Sequence, residues 1–123
     1  MADREAVNPD HPAKPSGPPP VRGRKLGILI SAPPGESGFR HGLRLAAAAL
    51  RAGVDVYLYC IDEAVRGLAN EELQGLRRDG LKLYACAYGA QRRNLPVNDL
   101  ATFAGLTVVN DLMSGTDRFV SFN

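Results

Sequence analysis

A chain of 123 residues with 45% hydrophobic and 23% charged side chains is long enough to bury one core, too short for two domains and too apolar for wholesale disorder. Its formal net charge of +2 is too small to attract a nucleic acid or an anionic membrane by electrostatics alone. No apolar run approaches the roughly 20 residues that cross a bilayer. The charged start, Asp3, Arg4 and Glu5, has no apolar segment behind it of the kind a secretory signal carries, so a reducing cytoplasm is the expected setting. The two cysteines, Cys60 and Cys86, and two histidines, His11 and His41, show no C-x-x-C spacing and no zinc pattern, and no metal is expected.

Residues 1–24 read as a mobile tail. Pro9, Pro12, Pro15, Pro18, Pro19 and Pro20 crowd it, and it lacks the large apolar side chains that offset ordering entropy. The folded domain is expected over 25–123. It opens with LGILI, from Leu26, an uninterrupted apolar strand of the kind that parallel sheets cover on both faces. The loop APPGESG leads into a helix that Ser37 can cap and Gly53 can close, with Phe39, Leu43, Ala47 and Leu50 on one face. A glycine-rich loop before a helix raises the question of a phosphate site. Gly35 and Gly38 do not make G-x-G-x-x-G, and no Gly-Lys-Ser/Thr follows, so no nucleotide cofactor is expected.

Val54 to Cys60 is the second strand. Asn70 caps a helix through Leu73 and Leu76, with Arg77 and Arg78 near its end and Gly80 just past it. The third strand, Leu81 to Ala85, runs into Cys86, and helical turns follow from Ala87. Beyond Pro96, a short helix from Asn98 through Leu100 and Phe103, a fourth strand over Leu106 to Val109, a last turn over Asp111 to Gly115 and a closing strand over Arg118 to Phe122 complete the reading. The alternation predicts a three-layer α/β/α sandwich, Rossmann-like, around a mainly parallel five-stranded sheet.

Cys86 is the residue this pattern singles out. It stands at a strand-to-helix switch on the carboxyl edge of the sheet, where ligands and chemistry collect in open α/β folds. A thiol there feels the positive end of the following helix, which favours a reactive thiolate; the competing reading is a small buried apolar residue. Gly89 and the small Ala87 and Ala90 leave room beside it, and Tyr88, Arg92 and Arg93 are candidates for docking a partner. Cys60 also ends a strand. If its neighbour is the third strand, the two sulfurs come within reach only in a favourable register, which decides between a resolving thiol and a small apolar plug.

Three stretches, GILISAPPGESGFRHGLRLAAAALRAGVDVYLYCIDEAV, LYACAYGAQRR and TDRFVSF, in this order over Lys25 to Asn123, resemble the DsrE/DsrF-like proteins, which include the TusD-type subunits of sulfur relays. The resemblance implies a trimer or hexamer, or a hetero-oligomer with related subunits. It also implies a sulfurtransferase-type carrier in which a cysteine after the third strand, here Cys86, holds sulfur as a persulfide. Sulfur-donor and sulfur-acceptor proteins are the implied partners, with no direct nucleic-acid contact, no membrane and no cofactor. Cys60 matches no family feature. The alternative is a binding or scaffold protein of the same fold whose cysteine is structural.

Overall fold

The computed structural model describes residues 20–123. Five strands, β1 (Lys25–Ile30), β2 (Asp55–Cys60), β3 (Lys82–Cys86), β4 (Thr102–Ala104) and β5 (Arg118–Phe122), form one parallel sheet in the order β4-β3-β2-β1-β5. The helices are α1 (Ser37–Arg51), α2 (Glu71–Arg78), α3 (Ala87–Arg92) and α4 (Leu106–Gly115), with a 3-10 turn over Asp62–Gly67 after β2. The steps from β1 to β2 to β3 move one way along the sheet, so right-handed crossovers put α1 and α2 on the same face. The return from β4 to β5 spans the whole sheet in the opposite direction and lays α4 across the other face, against β1 and β5. The result is the expected three-layer arrangement. No helix of the described residues is long and apolar enough to cross a membrane.

The two faces of the sheet are covered unequally. Towards α1 and α2 point Ile28, Ile30, Val56, Leu58, Cys60, Leu83 and Ala85, all essentially closed to solvent. Here α1 lies so close that a methyl group on Gly42 would meet Ile30 Cδ1 at 2.5 Å. On the α4 face, Leu29, Tyr57, Tyr84 and Phe119 stay half-buried, and α4 itself buries only Leu112 among its ten residues. Leu106 and Met113 are exposed on that helix.

Local signals explain most boundaries. Asn70 caps α2 by accepting from the Leu73 N–H at 2.9 Å. Gly53 and Gly80, just past α1 and α2, take φ of +83° and +116°, the left-handed region open to glycine at low cost. At the start of α1 the expected cap does not form: Glu36 is the capping position without a side-chain bond, and Ser37 is already helical.

Two expectations need correction. Leu106 to Val109 is not the fourth strand but the first turn of α4, and the strand is the shorter Thr102–Ala104, where a helix was expected. The β-branched run Thr107-Val108-Val109 has strand propensity, but β3 supplies only three partners, at 102–104, and Gly105 ends the strand. Residues 20–24, expected within the tail, are tied to the domain: the Gly23 N–H donates to Gly53 O, the Asp55 N–H to Arg24 O, both at 2.9 Å, and Arg24 pairs with Asp117. The expectation for residues 1–19 lies outside the described residues.

Candidate functional site

The parallel ladder decides what can meet at its carboxyl edge. Cys86 is the last residue of β3 and the capping position of α3, and its Sγ accepts the Gly89 N–H at 3.3 Å. Cys86, only 5% exposed, lines an open cavity of about 590 Å3. Gly89 beside it, Ile61, Asp62 and Glu63 after β2, and Gly105 and Leu106 at the start of α4 line the same cavity. Asp62, the first residue past the Ile61 bend after β2, has φ of +53°, a left-handed conformation that aspartate tolerates better than most side chains.

The residues named for partner docking divide into two kinds. Tyr88 is 65% exposed on the cavity rim, and the Arg92 guanidinium lies 5.8 Å from its ring centre and donates to its hydroxyl at 3.1 Å. This pair faces solvent. Arg93 is committed inward instead: its Nε donates to Glu63 at 2.7 Å and its Nη1 to the Gly89 carbonyl at 3.1 Å. Glu63 also accepts from Arg66 at 2.6 Å, and these bonds, that from Arg93 foremost, hold its carboxyl below the usual carboxylate range. A continuous set of contacts therefore runs from Glu63 through Arg93 to the carbonyl of Gly89, the residue whose N–H donates to the sulfur.

Cys60 is placed elsewhere. It pairs in register with Ala85, so the side chain of Cys86, one residue on, points to the opposite face of the sheet. Cys60 is closed to solvent among the α1-side apolar residues, and burial pushes its thiol up to about 12. A disulfide requires converging Cβ vectors, and this register speaks against a resolving role without movement of the backbone. Both cysteines are free.

Among the site residues that the sequence did not single out are Glu63 and Tyr59. Glu63 gave no local signal beyond a charge on a loop. Tyr59 did: in VDVYLYC it stands out of phase with Cys60, hence on the Cys86 face once the register is known. Tyr59 is completely buried, and its hydroxyl donates to the Ala104 carbonyl at 2.8 Å. Burial first, and then the neighbouring Cys86 sulfur, hold the phenol's proton on far above the ordinary tyrosine range.

A family model described as the DsrE/DsrF-like family matches residues 24–122. The chain belongs to that family. Among solved structures, the YchN protein of E. coli superposes with a TM-score of 0.68 at 18% identity, over 81% of this chain and 99% of YchN, a likeness of fold. No curated protein matches the chain by sequence. Of the three stretches that carry the resemblance to this family, the middle one holds Cys86, Tyr88, Gly89, Arg92 and Arg93 of the cavity lining.

Proposed function

We propose that this DsrE-like protein is a sulfur carrier that accepts persulfide sulfur on Cys86 and passes it to a partner thiol in a sulfur relay. The observation that carries the reading is the position of Cys86: its sulfur accepts a backbone N–H, and the residue lines a cavity open to solvent on the carboxyl edge of a parallel sheet. Family membership supplies the class of chemistry. The Cys86 thiolate attacks the outer sulfur of a donor persulfide R–S–SH; the new S–S bond forms as the old one breaks, and R–S⁻ leaves and takes up a proton. In the second half, an acceptor thiolate attacks the outer sulfur of Cys86–S–SH, and Cys86 returns as thiolate. No oxidant or cofactor is consumed.

A macromolecular donor must bring its own sulfur to a recessed atom, and the cavity mouth fits that need. Tyr88 and Leu106, 65% and 60% exposed, offer apolar surface beside Arg92, which has no acidic partner among the described residues. We assign Tyr88 and Arg92 to docking, and Arg93 to holding the Gly89 peptide. The sparse cover on the α4 face supports the reading of a trimer or hexamer: a second copy over α4, Tyr57 and Tyr84 would remove apolar surface that one subunit leaves half-open.

The competing scaffold reading has one observation in its favour, the 5% exposure of Cys86. Incubation with a low-molecular-weight persulfide followed by peptide mass spectrometry separates the two. A carrier gains one sulfur atom on Cys86; a structural thiol gains none.

A further inference from the structure

We propose that Tyr59 is a positioning residue for the sulfur: its hydroxyl donates to the Ala104 carbonyl while Cys86 is protonated, and turns to donate to the Cys86 sulfur when that sulfur is an anion. The persulfide part of this statement rests on the carrier reading, whereas the thiolate part needs only Cys86 itself.

The ladder brings the groups together. Tyr59 is level with Tyr84, so its side chain and that of Cys86 rise from the same face of neighbouring strands, and Ala104 is the register partner of Cys86 on the far side. A phenol that reaches from β2 to the Ala104 carbonyl, at 2.8 Å, therefore passes beside the sulfur. The ring is wholly enclosed, but the proton is not confined, because a phenolic O–H rotates about its C–O bond. Burial and the adjacent sulfur keep that proton on the oxygen, so the hydroxyl serves as a donor whatever the state of Cys86. The carbonyl it would leave belongs to a half-buried residue of the edge strand, next to Gly105, which lines the cavity.

The surrounding charges leave this task to neutral donors. The titratable and charged groups that line the cavity with Cys86 are Asp62 and Glu63 from the 3-10 turn and Tyr88, Arg92 and Arg93 from α3, and Gly105 and Leu106 at the start of α4 add none; Tyr59 from β2 neighbours the sulfur from outside that lining. Arg93 is bound to Glu63 and the Gly89 carbonyl, and Arg92 to Tyr88, so neither guanidinium bonds the sulfur. The Gly89 N–H is a donor fixed by the backbone. Tyr59 would add a donor that follows the charge, strengthening as sulfur turns anionic and releasing it when the sulfur is neutral.

The test is the pH profile of Cys86 alkylation in Tyr59→Phe, which keeps the ring and removes the hydroxyl. We expect the midpoint to rise by about one pH unit, seen as roughly tenfold slower alkylation on the acid side. An unchanged midpoint in a folded variant overturns the proposal. A second readout uses the unaltered chain with 13Cζ-labelled tyrosine: the Tyr59 resonance should move with the Cys86 midpoint and stay flat in Cys86→Ser. A resonance flat across the Cys86 titration in the unaltered chain likewise overturns it, even if Tyr59→Phe does not fold. Failure of Cys86 to take up sulfur from a persulfide, with the alkylation shift intact, would defeat the carrier reading and leave the role of Tyr59 standing.

Discussion

Gly89→Ala sets stability against reactivity at a single methyl group. Gly89 is helical and does not have a positive φ, so alanine meets no backbone strain there. Its Cβ would lie 3.4 Å from Cys86 Cβ, 3.6 Å from Cys86 Sγ and 3.7 Å from Arg93 Nη1, all ordinary van der Waals contacts that require nothing to move. Alanine also restricts the unfolded chain more than glycine and favours the helix, which should stabilise the domain by about 0.5–1 kcal/mol. For a domain of this size that is a rise in Tm of roughly 2–8 °C, readable by calorimetry. Gly89 lines the cavity and the same methyl would touch the sulfur, so an attacking or donated sulfur can no longer occupy that side. Alkylation of Cys86 and persulfide loading should both slow, most with a bulky donor. A variant that is more stable and also loads sulfur at the original rate would show that the cavity is not the route to Cys86.

Four further outcomes are expected. The Glu63 carboxyl is held below the ordinary value of 4.5, so it adds stability above that pH, which is lost as pH falls through the lower folded-state value. Glu63→Gln should therefore melt below the unaltered chain at neutral pH, and the gap should close on acidification below 4.5; a gap independent of pH would contradict the ion-pair account. Cys60→Ala should cost about 1 kcal/mol for the small cavity left in the core, with sulfur loading at Cys86 unchanged. Mild oxidation of the unaltered protein followed by non-reducing peptide mapping should yield no Cys60–Cys86 disulfide, and finding one would restore Cys60 as a resolving thiol. Light scattering at micromolar concentration should return a multiple of the 13.2 kDa chain mass consistent with a trimer or hexamer, and a mass near one chain would remove the assembly.

Much of the architecture was legible because several local signals agreed. The apolar runs of β1, β2 and β3, the Asn70 cap and the glycines after α1 and α2 all pointed the same way, and Cys86 fell at the strand end where it was expected. Legibility failed between Leu95 and Gly115. There a three-residue strand carries too few residues for a period, and α4 opens with strand-forming side chains and lies apolar on a thinly covered face, so propensity and pattern both favoured the wrong element. The site was legible to the extent that it follows the chain. Cys86 and Gly89 are neighbours on one segment, and spacing alone put them together. Tyr59, Glu63 and the orientation of Cys60 depend on which strands pair and in what phase, information that a parallel sheet carries only in three dimensions.

The most direct measurement follows a labelled sulfur through one complete turn. The protein is loaded from a low-molecular-weight persulfide carrying radioactive outer sulfur, freed of donor, and mixed with an excess of an acceptor thiol. A sulfur carrier acting through Cys86 takes up one label per chain at most, located on Cys86, and transfers it to the acceptor with return of the free Cys86 thiol, and Cys86→Ser takes up no label at all. Label that enters Cys86→Ser as readily as the unaltered chain, or that never reaches Cys86, would contradict the carrier reading.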